Sequence, residues 1–332
     1  MKAKRLIPPF LLLLTLSGCS GRSEVRDKGF IRTIGADCND VQTISLQLYG
    51  SDEVLTGQGT TLFSAIADSE RTQGKNLFAG HLELFAASPE NIYKNLSSLL
   101  QNNRISPSCS VICVPENAAG LVAESESDFL PEIIDSSSRS GIIVKKNISS
   151  VIDDLLGVDC KAAVPVYKDG EIYMSVINGE KLIGILSRDE SKGLCWLNGG
   201  IKDIYLPLDI NGRNVDFYVR KSSTKITAEK QDDKINITVE IKINGNAEEN
   251  DIDRESVKKN VAEQISGLCA KTIAKTVTGM KADVFGIEKS INARGISENR
   301  TWEDLIPNLN FYYKIKICLL YTSPSPRDMR RS

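Results

Sequence analysis

Residues Lys234–Asn244 read K-I-N-I-T-V-E-I-K-I-N. Ile235, Ile237, Val239, Ile241 and Ile243 alternate with polar residues without a break, as in a strand with one face on a core and the other toward water. Upstream, Val215–Val219 and Lys225–Ala228 read as two further strands. Downstream, Asp251, Asp253 and Glu255 crowd a helix start, where the helix dipole favours acids. Val257, Val261, Ile265 and Leu268 then mark a long amphipathic helix through Thr278. After Gly279, the segment Ala282-Asp283-Val284-Phe285-Gly286 and a short helix lead to Phe311–Ile317, which alternates Phe311, Tyr313, Ile315 and Ile317. The pattern predicts a three- or four-stranded sheet packed on one long helix.

Further upstream, Ile172–Ile177 and Lys181–Leu186 flank Asn178-Gly179, a strong hairpin signal. Ser187-Arg188-Asp189-Glu190 is an S-x-x-E capping box, which predicts a short helix carrying Leu194 and Trp196. In the first half, Phe30–Asp37 and Val41–Tyr49 form a hairpin and Gly50–Thr60 a Gly/Ser/Thr loop. Thr61–Gln73 has helical spacing, and His81–Ala86 is a short apolar strand. Pro89 opens a helix, Ser108–Val114 is a strand, and Glu116–Glu124 is another helix. Ser125–Ser140 is polar and acidic and reads as a loop. Val151–Leu156 forms a short helix and Lys161–Tyr167 is extended. Strands and helices in this order give an α+β class: mixed β-sheets packed with helices in two, or three, consecutive domains.

Of the 332 residues, 41% are hydrophobic and 25% charged, ordinary globular values. The formal net charge of −2 leaves no electrostatic footprint for nucleic acid. Of the eight cysteines, Cys38, Cys109, Cys113, Cys160, Cys195 and Cys269 are irregularly spaced and form no C-x-x-C. Cys109 and Cys113 lie on one strand, about 13 Å apart against a limit of about 7 Å for a disulfide, so they do not pair. Most of the set reads as small buried hydrophobes.

Catalytic chemistry has little material. His81, in Phe78-Ala79-Gly80-His81-Leu82, is the only histidine, and no zinc-protease, phosphate-loop, dinucleotide or nucleophile-elbow motif occurs. Asp153-Asp154 and Glu248-Glu249-Asn250-Asp251 read as solvated faces or helix caps, and Trp196 and Trp302 as core or interface anchors. No catalytic residue, metal ligand or cofactor site is assigned.

The termini carry their own signals. Lys2, Lys4 and Arg5 precede the apolar run Leu6–Leu16, and Leu16-Ser17-Gly18-Cys19 follows, with a polar stretch Gly21–Asp27 behind it. A basic region, a short apolar core and small residues before a cleavage point describe a signal peptide over residues 1–18. The run of about eleven residues is short of the roughly twenty that cross a bilayer. The tetrad resembles the lipobox of bacterial lipoproteins. That resemblance implies that Cys19 is thioether-linked to a diacylglyceryl group and anchors the chain to a membrane. At the other end, Cys318–Asp328, C-L-L-Y-T-S-P-S-P-R-D, resembles a translated transposon-end sequencing adapter. Residues 318–332 are accordingly expected to be an artefact, with the native part of the sequence breaking off near Ile317 and the true C-terminus missing.

Several short motifs, in order, resemble the Ger(x)C spore-germination lipoproteins, the C-subunits of nutrient germinant receptors. They are Glu24-Val25 with Gly35-Ala36-Asp37; Thr61-Leu62-Phe63-Ser64-Ala65-Ile66; Phe78-Ala79-Gly80-His81-Leu82-Glu83; and Gly179-Glu180-Lys181-Leu182-Ile183-Gly184 with Glu190 and Gly193-Leu194-Cys195-Trp196-Leu197. Ala282-Asp283-Val284-Phe285-Gly286 and Trp302-Glu303-Asp304-Leu305-Ile306-Pro307 complete the series. Ser20 stands where the family has a tryptophan. The resemblance implies an N-terminal domain over residues 19–190 and a C-terminal α+β domain over 191–317. It implies a non-enzymatic subunit on the outer face of the spore inner membrane, docked to A-type and B-type membrane subunits and needed for germination on small nutrients. The competing reading is a lipid-anchored solute-binding protein with its ligand cleft in the first domain. An extracytoplasmic hydrolase would need a nucleophile paired with a base, which a single histidine hardly supplies.

Overall fold

The computed structural model describes residues 28–319, apart from 39, 91, 103–104, 248–252 and 298–299. Cys19, Glu24-Val25, the signal peptide, the acidic run Glu248–Asp251 and residues beyond Leu319 lie outside the described residues.

The first half is a mixed sheet with helices on both faces. Strands β1 (Lys28–Cys38), β2 (Gln42–Leu48), β3 (Val54–Gly59), β4 (Asn76–Phe78), β5 (Leu84–Ala87), β6 (Ser110–Cys113), β7 (Ala162–Lys168), β8 (Glu171–Ile177) and β9 (Leu182–Ile185) belong to it. The spatial order is β3-β2-β1-β5-β6-β7-β8-β9, with β4 also paired to β1. The four central strands β1, β5, β6 and β7 run parallel. Alternation along these strands feeds two cores. Phe85, Ala87, Val111, Cys113 and Val164 face helices α1 (Leu62–Gln73), α2 (Ile92–Gln101) and α5 (Ile148–Leu155). Leu84, Ala86, Ile112 and Ala163 face α3 (Ala118–Glu124) and α4 (Phe129–Arg139). A sheet buried on both faces reads as near-continuous apolar runs, as its strands here do.

The second half is the predicted sheet on a long helix. It has four antiparallel and parallel strands, β10 (Ile204–Ile210), β11 (Arg213–Gln231), β12 (Lys234–Ala247) and β13 (Leu309–Leu319). Ile235, Ile237, Val239, Ile241 and Ile243 are all fully buried. They pack in one core with Val257, Val261 and Ile265 of α7 (Arg254–Ile273), and both tryptophans lie in that core. After α7 come a π-helical turn, Ala274–Gly279, and the short helices α8 (Ile287–Asn292) and α9 (Trp302–Leu305).

Four local expectations are corrected. Within Gly50–Thr60 lies strand β3. Its glycines are there because α1 crosses almost in contact with it: a Cβ at Gly57 would sit 2.1 Å from the Ala65 carbonyl oxygen. Ser125–Ser140 contains helix α4, with Leu130, Ile134 and Ser137 as its buried stripe; three inward positions suffice where the rest of the helix faces water. His81 is not in a strand: it lies exposed in the turn before β5. Val215–Val219 and Lys225–Ala228 are one strand, β11, with a bulge at Arg220. The bulge adds one residue, so the buried positions change from odd numbers (Val215, Phe217, Val219) to even (Ser222, Ala228). Strand β10 has no counterpart in the sequence reading; Pro207 interrupts the donor pattern and is tolerated because β10 is an edge.

The two halves meet at helix α6 (Arg188–Asn198). Its capping box forms as predicted: the Ser187 amide donates to Glu190 Oε2 at 2.7 Å, and the Glu190 amide donates to Ser187 Oγ at 3.4 Å. Leu194 packs into the core of the first half, while Cys195, Trp196 and Leu197 pack into that of the second. Gly193 faces α7 so closely that a Cβ would lie 2.1 Å from Thr272 Oγ1 and 2.3 Å from the Leu268 carbonyl oxygen. The Thr272 hydroxyl donates back to the Glu190 carbonyl at 2.8 Å.

A second seam lies beside it. The Asp159 carboxylate accepts from Lys161 Nζ at 2.5 Å and from the Asp283 amide at 2.7 Å, and Lys161 also donates to the Lys281 carbonyl at 2.9 Å. Asp283 in turn accepts from the amides of Phe285 and Glu288, capping α8. Glu288 is only 7% exposed. Its Oε2 has no hydrogen-bond partner among the described residues. Burial, then the charges of Asp159 and Asp283, raise the Glu288 carboxyl above its ordinary value, with Lys161 opposing.

Two consequences are measurable. Gly193→Ala should force α6 and α7 apart and cost about 3 kcal/mol, read as a lower urea midpoint; Thr272→Ala in the same chain should recover only part, because the Leu268 carbonyl remains. Glu288 binds its proton more tightly folded than unfolded, so its contribution falls as pH rises from about 4 through the raised folded value. Glu288→Gln should therefore raise stability at pH 7, and the gain should shrink toward pH 4; an equal gain at both pH values would contradict this.

Candidate functional site

The parallel strands β1, β5 and β6 start along one edge of the first sheet, and a groove of about 830 Å³ opens there. One wall is formed by Arg32, Glu83, Ser108 and Ser110, and the other by α4. Arg32 Nε donates to Glu83 at 2.7 Å, and the same guanidinium pairs with Asp128 at the start of α4. It also lies 5.4 Å from the Tyr49 ring centroid. Lys145 pairs with Asp135 at 2.6 Å across the groove. Glu132 and Arg139, two turns apart on α4, carry no ion pair among the described residues. Phe129, half-exposed at one end, meets Tyr167 edge-on at 6.2 Å.

Beside the groove is an aromatic cluster at the first described residues. The rings of Phe30 and Phe78 meet edge-on at 5.7 Å, and His81 lies 5.8 Å from Phe30 and 6.0 Å from Phe78. Lys28 Nζ sits 5.7 Å from the Phe78 ring centroid. The Tyr49 hydroxyl donates to the His81 carbonyl at 3.0 Å. Burial and the neighbouring Glu83 push the Tyr49 hydroxyl up to about 12, so it stays protonated near neutrality.

The motif Gly35-Ala36-Asp37 holds structure at the opposite, strand-end edge. Asp37 accepts from the amides of Ala118 and Ala119 at 2.9 and 2.7 Å, capping α3. A Cβ at Gly35 would lie 2.4 Å from the Ala118 carbonyl oxygen. Gly35-Ala36-Asp37 thus seats one helix: the glycine lets it approach and the aspartate satisfies its amides. In Thr61–Ile66, Thr61 and Ser64 form a reciprocal cap on α1.

Cys109, Cys113, Cys160, Cys195, Cys269 and Cys318 form no disulfide among the described residues. Burial pushes the thiols of Cys113, Cys195 and Cys269 up to about 12 and that of Cys109 higher still. These sulfurs are core atoms, not thiolates, as the sequence reading expects of most of them. Asp154, on α5, is held by Lys146 at 2.7 Å. No three His, Cys, Asp or Glu side chains among the described residues are placed to hold a metal ion. No described helix is long and apolar enough to cross a membrane. Sequence reasoning missed the Arg32–Glu83–Asp128 network, whose members lie far apart in the chain; only the acidic start of α4 hinted at it.

Comparison with known proteins agrees in both halves of the chain. A family model for the spore germination protein N-terminal domain matches residues 21–168. A second, for the C-terminal domain of spore germination B3/GerAC-like proteins, matches residues 173–322. Spore germination protein B3 of Bacillus subtilis (strain 168) is 22% identical over 305 residues, 81% of each chain. The crystal structure of the GerBC protein superposes with a TM-score of 0.57 at 14% identity, covering 87% of this chain and 97% of that one. At that identity the likeness is one of fold. The α+β architecture, the motif order and both family matches lead to one conclusion: the chain belongs to the Ger(x)C family of spore germination proteins.

Proposed function

We propose that this protein is a lipid-anchored, non-enzymatic subunit of a spore nutrient germinant receptor. On this reading Cys19 carries the diacylglyceryl group after removal of residues 1–18. Residues 19–190 and 191–317 act as two protein-binding domains that dock to A-type and B-type membrane subunits on the outer face of the spore inner membrane. The observation that carries the reading is family membership at both halves of the chain, joined to the L-S-G-C tetrad only nine residues before the first strand. Two acyl chains satisfy the requirement for stable anchoring, where one gives only marginal binding. Anchoring beside membrane partners raises their effective concentration without any new contact.

Solute capture is the second reading, and the groove at Arg32 is the observation that favours it. Two of its cations are engaged internally, Arg32 with Glu83 and Asp128 and Lys145 with Asp135, while Arg139 on the α4 wall carries no ion pair among the described residues. An anionic solute could meet Arg139 alone, and would have to displace carboxylates to reach the other two, which supports docking over capture.

Cys19→Ala should leave the domains folded, with unchanged circular dichroism, yet abolish membrane retention and the nutrient response of spores. Normal germination of that variant on nutrient would show that the anchor is dispensable. Calorimetry of the chain from Ser20 against amino acids and sugars should give no micromolar binding; clear saturable heat that Arg32→Ala removes would favour capture.

A further inference from the structure

The aromatic cluster around Phe78 has no role in the core. Phe30, Phe78 and His81 enclose one another at 5.7 to 6.0 Å, yet each remains partly or fully exposed, and Tyr49 beside them is 39% exposed. Lys28 lies over the Phe78 ring and has no ion pair among the described residues, while Lys75, next along the chain from Asn76, is paired with Glu53. β4 sets this up: it pairs in parallel with the start of β1, placing Asn76 beside Lys28 and Phe78 beside Phe30.

We propose that this cluster is a membrane-facing surface, which lies against the lipid headgroups when the chain is anchored. The inference rests on the anchor reading for its cause. Lys28 is nine positions on from Cys19, a reach of at most about 30 Å. The chain enters the fold at the cluster itself, so the tether brings this edge toward the bilayer before any other. The chemistry fits the place. Tyrosine and other amphipathic rings sit at the headgroup level, with apolar bodies and polar tips. Lys28 beside them would meet an anionic leaflet. Strands β1, β5 and β6 rise from this edge, which puts the Asp37-capped end of α3 about 30 Å away, along the eleven residues of β1.

The experiment places a fluorophore at Lys75→Cys, next to the cluster, or at Glu116→Cys, beyond the end of β6. Both are made in a chain whose exposed Cys160 and Cys318 are serine. The protein is studied on phosphatidylglycerol vesicles carrying a headgroup nitroxide. It is held either by its own lipid or, for the mature chain, by a hexahistidine tag in place of Cys19 on nickel-chelating lipid. The label at position 75 should be quenched at least about twofold more than that at 116 in both formats. Phe78→Ser with Lys28→Glu should abolish the difference while circular dichroism stays unchanged; if that pair unfolds, Tyr49→Ser with Lys28→Glu replaces it and should reduce the contrast. Equal quenching at the two positions on nickel vesicles, or stronger quenching at 116, would overturn the proposal. Mass measurement of the N-terminal peptide decides the anchor reading separately: an unmodified Cys19 removes the natural tether but leaves the nickel-tethered result to decide the surface.

Discussion

The close approach of α6 and α7 at Gly193 is the constraint on which the two halves depend. With no side chain at Gly193, the Leu268 carbonyl and the Thr272 hydroxyl come within the space a Cβ would fill. That distance lets a single eleven-residue helix serve two cores, Leu194 on one side and Cys195, Trp196 and Leu197 on the other. The helix is fixed at both ends by hydrogen bonds that cross the seam. Thr272 reaches the Glu190 carbonyl, and the Thr224 hydroxyl donates to the Trp196 carbonyl at 2.6 Å. Because packed interiors resist continuous deformation, widening the crossing disturbs both cores together. This gives a physical content to the spacing of Glu190, Gly193 and Trp196: cap, contact and core anchor on successive turns.

The same logic explains what the sequence shows and what it hides. Alternation in Lys234–Asn244, the Asn178-Gly179 turn and the Ser187 capping box are local, and each forms where it is read. The hidden elements owe their composition to neighbours distant in the chain. Gly57 and Gly59 look like loop residues because they lie beneath α1, and helix α4 looks like a loop because only three of its side chains face inward. In β11 the period of two survives, but the bulge at Arg220 resets its phase, so one strand reads as two. The groove was still less legible, since Arg32, Glu83 and Asp128 meet only after β1 and β5 are laid side by side and α4 is packed beside them.

Parallel strands also give the first half a polarity that its function can use. The starts of β1, β5 and β6 gather the groove and the aromatic cluster at the edge where the chain enters. The ends of the same strands carry the Asp37 cap and the start of α3. One edge is therefore rich in exposed rings and ionic groups, whereas the motif residues at the other are spent on holding a helix. Motif residues thus serve both ends of the sheet: Gly35 and Asp37 seat a helix at one, while Phe78, His81 and Glu83 of another motif lie among the exposed rings and ionic groups at the other.

The electrostatics of the groove separate a recognition surface from a ligand trap. A site that captures an anion keeps a cation unpaired, or paired weakly enough to exchange. Arg32 is instead held by two carboxylates, and its guanidinium stacks over Tyr49, so it is both neutralised and fixed. Releasing it would unpair Glu83, which supports the Tyr49 hydroxyl, and Asp128, which leads into α4. The network therefore couples β1, β5 and α4 into one rigid wall. A rigid wall of internally matched charges presents shape and a few free groups, Glu132 and Arg139 on the outer turns of α4. On the proposed docking reading, such a face would keep its reorganisation cost low when it meets another protein.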